Sequence, residues 1–441
     1  MRRIHFVPVL LLWLSAWPAA AQEVLTLDAA VAQALTRNAG LAAARAGQDE
    51  ARFRVDEARS RFFPRVTVSE SWQRGNNPVF VFSSLLSARQ FTAVNFAIDA
   101  LNRPEAVGFF HGAVVAEQVV FDGGRIRAGL GASRQAAAMA SATLAESELD
   151  VAARVAATYG RVLTAEVARR AADTAADAAS EDVARAERRR DAGTVTEADV
   201  LTLRVHLANM RQRAIEAAGQ AAVARAELNR LRGVAVETPF ATQEPPPAPA
   251  GAPRDWSALA AEALANRPDL VRAAAAVDLA EASRRQARAS WLPQVGAQAA
   301  YQYDGLAFSS RATNWVVGGE ARWTFNTGLG DRAAVRAAAA AGQQARASLD
   351  EARAAVHVDV LSAVRALESA EARETVAAAT VAQARESERI IRDRYDAGMV
   401  GVQDVLGAAA AVLGAETTRV GALADRLTAA AALDRAIGRR P

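Results

Sequence analysis

Two stretches of this chain, Gly124 to Arg190 and Gly330 to Tyr395, each run for about 66 residues without a proline. As continuous helices each spans about 100 Å at 1.5 Å per residue. No compact core is that deep, so the helices must pack side by side along a rod. The segment after the first stretch, Glu197 to Arg232, covers about 54 Å, and the segment before it, Ala39 to Phe63, about 37 Å by the same rise. Their sum approximates one long helix. The lengths therefore predict a rod in which two short helices, end to end, run antiparallel to one long helix. Its apolar seam is narrow. Leu349, Val356, Val360, Val364 and Leu367 recur at steps of seven, four and three with alanines between, which is coiled-coil spacing.

The rod is written twice. Ala34 to Leu41 (ALTRNAGL) aligns with Ala263 to Leu270 (ALANRPDL), and the same register carries Phe62-Phe63-Pro64 onto Trp291-Leu292-Pro293. Phe121-Asp122-Gly123-Gly124 matches Phe325-Asn326-Thr327-Gly328, and Leu228 to Gly233 matches Leu433 to Gly438. DAGTVTEADVL (Asp191 to Leu201) returns as DAGMVGVQDVL (Asp396 to Leu406) with seven of eleven positions identical. The expected division is a leader over 1–21, a first repeat over 22–233, a linker over 234–255 and a second repeat over 256–441. The linker region Val234 to Pro253 holds six of the fourteen prolines and reads as extended. In the first repeat strands are expected at about 64–74 and 109–121, and helices at about 124–190 and 197–232. In the second the strands fall at about 293–303 and 314–325, and the helices at about 330–395 and 402–437.

The strands alternate. Val295, Ala297, Ala299, Tyr301 and Tyr303 share one face, opposite Gln294, Gly296, Gln298 and Gln302. Trp315, Val317, Ala321, Trp323 and Phe325 oppose Glu320, Arg322 and Thr324. Val66, Val68 and Trp72 oppose Arg65, Thr67, Ser69 and Gln73. Period two also suits a half-buried soluble sheet. Segments of about ten residues with aromatic ends suit a transmembrane β-barrel better. Glu70 and Glu117 both fall on the expected lipid face and disagree with it. Four strands cannot close a membrane barrel, and an open sheet in lipid leaves unpaired edges. The strands then require an oligomer sharing one barrel. Three copies give about twelve strands, whereas two leave room for little beyond side chains.

MRRIHFVPVLLLWLSAWPAAAQ opens on Arg2 and Arg3, an apolar run over Phe6 to Leu14, and the small residues Ala19 to Ala21, which reads as a secretory leader. No later segment offers about 18 uninterrupted apolar residues, so a spanning helix is not expected. The chain has no Cys, which excludes disulfides, thiolate metal sites and lipid attachment at an N-terminal cysteine. All 52 basic residues are Arg, but they mix with acidic residues to a net +3 and form no basic block, so no nucleic-acid partner is expected. His5, His111, His206 and His357 are scattered without ligand spacing. The Gly-Leu-Gly pairs at 129–131 and 328–330 lack the Lys of a phosphate loop. No catalytic constellation, cofactor site or metal site is expected.

Taken together, LTLDAAVAQAL (Leu25 to Leu35), the ALANRPDL repeat start, the Phe-Asp-Gly-Gly strand exit and both DAG-x-V-x-x-x-DVL copies resemble the TolC family of outer-membrane efflux proteins. The resemblance covers essentially the whole chain after the leader. It implies a homotrimer, mainly α with a small membrane β part. Long antiparallel helical hairpins would form an α-barrel tunnel in the periplasm, and four strands per chain would join a shared β-barrel in outer-membrane lipid. It also implies an exit duct of a tripartite efflux or type I secretion system, in contact with a periplasmic adaptor and, through it, an inner-membrane pump. The DAG copies become the turns at the far periplasmic end. Asp404 falls on a family position that narrows the entrance, with Asp199 its counterpart, while Gly407 replaces a second acidic position. Gly193, Val195, Leu201, Tyr395, Gly398, Val400 and Leu406 would form the tip and its adaptor-docking surface. The residues also allow a plainer role for the motif. Gly193 and Gly398 suit helix ends, Thr196 with Asp199 resembles a capping box, and Asp404 complements a helix dipole. A secreted coiled-coil structural or adhesin protein would account for the helices but not the strands. Last, Gly75 to Gly108 reads as the longest interstrand loop and is unusually apolar. Placed at the extracellular mouth, it either folds over the pore or packs between protomers; its counterpart Asp304 to Thr313 is short.

Overall fold

The computed structural model describes residues 23–245, 254–397 and 399–439. The expected leader (1–21), much of the proline-rich linker (246–253) and Gly398 lie outside them.

Each repeat enters through a short helix, α1 (Leu27–Arg37) or α7 (Trp256–Asn266), followed by α2 (Ala39–Ser60) or α8 (Pro268–Ala289). Asn38 separates the first pair: its Oδ1 accepts from Gly40 N and Leu41 N, capping α2. In the second repeat Pro268 occupies the first turn of α8, where a missing N–H costs nothing. The long helices are α5 (Arg125–Asp191) and α9 (Gly330–Asp396), each 67 residues, and their return helices are α6 (Glu197–Arg232) and α10 (Val402–Ile437). Toward one end α5 packs against α2 and α8, and α8 against α9; toward the other α5 packs against α6 and α10, and α10 against α9. The result is a layer four helices wide in both halves, with α5 and α9 running its full height. The seam read from the spacing is buried: Val356, Val360, Val364 and Leu367 form one core with α7, α8 and α10 residues such as Ile437.

The end-to-end joints rest on glycine. Gly233 ends α6 at φ +70, and a Cβ there would lie 2.3 Å from Arg37 O. Asn38 Nδ2 donates to Leu231 O at 2.9 Å, tying the start of α2 to the end of α6. Gly438 (φ +72) meets Asn266 and Arg267 in the same way, with a Cβ 3.0 Å from Asn266. Beside the first joint, β1 (Glu23–Leu25) pairs in parallel with Phe240–Thr242. The linker region thus holds one regular, still extended element: β4, as this segment is named, buries Phe240 and joins the core of Leu25, Val155, Tyr159 and Leu423. The Tyr159 hydroxyl lies 2.7 Å from Leu25 O and accepts from Gln243 N at 3.0 Å, clamping both strands to α5.

The remaining strands are β2 (Arg65–Gly75), β3 (Val107–Phe121), β5 (Gln294–Ala307) and β6 (Ser310–Arg322), in one antiparallel sheet ordered β2-β3-β5-β6. The Phe-Asp-Gly-Gly motif turns β3 into α5. Asp122 Oδ1 accepts from Gly124 N at 3.0 Å and its Oδ2 from Ile126 N at 2.7 Å. Gly123 and Gly124 take positive φ (+68 and +87), and a Cβ at Gly123 would press within 2.8 Å of Leu292.

Three expectations about the sheet are corrected. β5 and β6 run on to Ala307 and from Ser310, leaving two residues between them rather than a loop over Asp304 to Thr313. β6 ends at Arg322, opposite Gln294, because Pro293 ends the partner strand; Trp323 and Phe325 thus lie past it, and Trp323 Nε1 donates to Trp291 O at 3.1 Å. The segment over Gly75 to Gly108 is helical rather than a loop, with α3 (Pro78–Ser87), a 3-10 turn (Ala93–Phe96) and α4 (Ile98–Asn102). Asn77 caps α3 through Oδ1, accepting from Val79 N and Phe80 N, and Pro78 fits its first turn.

Candidate functional site

At the far end of the rod, Gly193 takes φ +75 and its N–H donates to Arg190 O at 2.8 Å, while Thr194 N donates to Arg189 O. That left-handed ending satisfies the last carbonyls of α5 and reverses the chain. Thr196 then opens α6. Its N–H and hydroxyl both donate to Asp199 Oδ2, at 2.9 and 2.7 Å, and Asp199 N donates back to Thr196 Oγ1 at 3.3 Å. These bonds hold the Asp199 carboxyl below the usual carboxylate range, the Thr196 hydroxyl contributing most. Arg190 bridges Asp191 (2.8 Å) and Glu197 (3.1 Å) across the turn.

The second turn is barer. Gly401 has no side chain to cap with, so only the return half of the box exists: Gly401 N donates to Asp404 Oδ2 at 2.9 Å. Asp404 is exposed, as is Asp199. Asp199 spends one oxygen on the Thr196 hydroxyl and amide, whereas the Asp404 carboxylate receives this single bond among the described residues. Val195, Tyr395, Val400 and Leu406 are half-buried and Leu201 is exposed. A contact not anticipated from the residues joins the two turns: Arg189 Nη1 donates to the Tyr395 hydroxyl at 3.1 Å. The run Arg188-Arg189-Arg190 is visible in the sequence, but which of the three faces the neighbouring hairpin depends on how α5 packs against α10 of that hairpin.

At the other end the sheet has two chemically distinct faces. Directly paired residues share a face. Val66, Val68 and Trp72 on β2 therefore lie with Phe110, Val114 and Ala116 on β3, and with Ala299, Tyr301, Trp315 and Val317 on β5 and β6. Arg65, Thr67, Ser69, Glu117, Gln298, Gln302, Asn314 and Glu320 lie on the opposite face. Glu117 is thus corrected to the polar face, where it pairs with Arg65 at 3.0 Å. Glu70 does lie on the apolar face, and a partner compensates it. Arg311 donates to both of its carboxylate oxygens, at 2.8 and 2.9 Å, over Gly112, where a Cβ would lie 2.7 Å from Glu70 Oε2. The Arg311 guanidinium also sits 4.2 Å from the ring centre of Phe308. Where β3 and β6 approach α2 and α5, Arg54, Arg65, Glu117, Arg125, Gln298 and Glu320 line a cavity of about 1370 Å³ on the polar side.

Among the described residues no helix is long and apolar enough to cross a membrane, and no cluster of His, Asp and Glu could hold a metal ion. The sequence profile of outer membrane efflux proteins matches residues 30–234 and 259–439, that is, both repeats. The chain belongs to the outer membrane efflux protein family. Solved structures of similar fold include the Campylobacter jejuni CmeC outer membrane channel (TM-score 0.78, 17% identity, 93% of this chain and 85% of that one). The outer membrane protein VceC from Vibrio cholerae (0.72, 18%, 94% and 96%) and the open state of the Neisseria gonorrhoeae MtrE outer membrane channel (0.70, 20%, 94% and 89%) are also similar. No curated protein sequence matches. An outer membrane efflux protein is a transport channel, and the TolC-type architecture read from the duplicated motifs, long helical hairpins beside a small antiparallel sheet, is the fold observed.

Proposed function

We propose that three copies of this chain form the passive exit duct of a tripartite efflux or type I secretion system, spanning the outer membrane and reaching into the periplasm. The observation that carries the reading is the sheet: four strands, two unpaired edges on β2 and β6, and one apolar face. In lipid every backbone group must be paired, so the edges close on copies of themselves. Three copies give about twelve strands, with the apolar face toward lipid and the polar face lining the pore. The four-helix layers continue that wall as a tunnel of about twelve helices, about 100 Å long. Transport energy comes from an inner-membrane pump, reached through a periplasmic adaptor that docks on the tip residues Val195, Leu201, Tyr395, Val400 and Leu406.

The duct is closed where the hairpins converge. The Arg189–Tyr395 bond ties the first hairpin to the second, and Asp404, with less of its carboxylate engaged in capping than Asp199, supplies charge to the entrance. Detergent extraction of outer membranes should yield a heat-sensitive trimer. In planar bilayers Arg189→Ala should raise conductance, and Asp404→Ala should weaken block by divalent cations. A monomer released without detergent, with no conductance in any variant, would overturn the duct in favour of a secreted coiled-coil protein. Unchanged cation block in Asp404→Ala would remove that residue from the entrance.

A further inference from the structure

We infer that the helical insert between β2 and β3 is a latched lid closing the outer mouth of the duct. The inference rests on the polar face being the pore wall. α3 packs on β5 from that face, burying Val81, Ser84 and Ala88. Phe80 meets Phe109, a residue of the same face, edge to face at 6.3 Å. Farther along the insert Phe82, Phe91 and Phe96 stack at 4.7 and 5.0 Å, so the insert has a small core of its own.

The latch is polar and centred on Asp304, which is 2% exposed. His111 Nδ1 lies 2.7 Å from its Oδ1, and Asn314 Nδ2 donates to its Oδ2 at 2.8 Å. The same Asn314 amide also reaches Ser87 O, the last turn of α3, at 3.1 Å. Arg89 completes the hold. It takes φ +56, a conformation that disfavours side chains, and donates through Nη2 to Thr313 O at 2.9 Å. β3, β5 and β6 thus contribute one residue each to a cluster whose effect is to seat α3. The short β5–β6 hairpin carries no such insert.

The opposite surface of the insert is apolar and uncovered. Val79, Leu86, Val94, Phe96 and Ile98 are exposed. A pore wall facing water has no use for them, and the insert grows directly from β2, an open edge where the next protomer must join. Its partner is therefore a second copy of itself: three inserts converge about the axis and cover one another's apolar surface. The lid restricts inward passage from outside independently of the helical tips.

Because the chain has no cysteine, a lone Ser84→Cys reports lid docking on intact cells through labelling by a membrane-impermeant maleimide. Labelling should be slow, and Asp304→Ala or Arg89→Ala should speed it by about tenfold or more, as local opening governs access. In planar bilayers, replacing residues 78–102 by a Gly-Ser linker in the Arg189→Ala background should raise conductance severalfold above that background. Fast labelling with the latch intact, or no acceleration on breaking it, overturns the latch. Equal conductance with and without the insert overturns the lid while leaving the duct in place. Absence of conductance in every variant, the Arg189→Ala parent included, overturns the duct itself. Arg89→Ala leaves the Asp304 cluster whole and keeps the labelling test valid if Asp304→Ala does not assemble.

Discussion

Replacing Arg311 by Met leaves the Glu70 carboxylate without its partner on the face that the duct presents to lipid. The wild-type pair is bidentate, 2.8 and 2.9 Å, and the Arg311 side chain is 14% exposed while that of Glu70 is 45% exposed. An Arg or Lys facing lipid costs about 2–4 kcal/mol at the bilayer midplane and about 0–1 near its rim, and a carboxylate costs less. The charge left behind is Glu70, midway along β2 (Arg65–Gly75), so its cost lies near the lower end of the midplane range, about 2 kcal/mol per protomer. That is about a thirtyfold shift in the unfolding equilibrium. Removing both charges in Glu70→Gln/Arg311→Met should recover all but about 1 kcal/mol, since a neutral pair avoids the desolvation that an unpaired ion suffers. The assay is urea unfolding in detergent micelles and in lipid vesicles, followed by tryptophan fluorescence. The lipid arm should show the larger loss. An Arg311→Met protein as stable as wild type in vesicles, or a double variant no better than the single one, would refute the reasoning. Gly112→Ala should weaken the same pair, because its Cβ would lie 2.7 Å from Glu70 Oε2 and 3.1 Å from Arg311 Nη1.

The glycines at the helix ends should rank by what surrounds them. Gly233→Ala meets Arg37 O at 2.3 Å and should cost at least about 2 kcal/mol of thermal stability, Gly438→Ala less, and Gly193→Ala, with open space around it, about 1 kcal/mol. Tyr159→Phe should cost about 1–3 kcal/mol in denaturant unfolding, because the groups of Leu25 and Gln243 held by its hydroxyl lose a partner inside the core. The depressed Asp199 pKa gives the first tip an acid sensitivity of definite sign. Its contribution is present above the ordinary value of 3.8 and is lost as pH falls through the lower folded value. Amide protection at the start of α6, measured relative to the intrinsic exchange rate at each pH, should therefore fall below about pH 4, and Asp199→Asn should remove that change; protection indifferent to pH in the wild type would count against the Thr196 bonds.

Much of the architecture was legible because it depends on periodicity and length. The proline-free runs set helices of 67 residues, the period-two strands set a sheet with one apolar face, and the duplicated Gly233 and Gly438 set matching joints. Position in space is not encoded by periodicity. Alternation carried from one strand to the next without a pairing register puts Glu117 on the apolar face, whereas the register sets it opposite Arg65 on the polar one. Glu70 stands out as a lone charge in the apolar alternation because its partner lies 241 residues away at the far edge of the sheet. The stretch over Gly75 to Gly108 lacks the long apolar periodicity of the rod helices and so reads as a loop, whereas its short helices rest on local caps such as Asn77-Pro78.

At the tips, the sequence alone determined that two similar turns exist and that Thr196 caps one while Gly401 leaves the other barer. Those are properties of residues three or four apart, where local hydrogen bonds decide. Only the tertiary structure decided that Arg189, of three adjacent arginines, reaches Tyr395, that Asp304 collects His111 and Asn314, and that α3 sits on the polar face. Apart from the Asp304–Asn314 bond, which closes within the β5–β6 hairpin, these contacts bring together elements separated by more than a hundred residues, and their relative rotation is set by the packing of long helices and the register of the sheet.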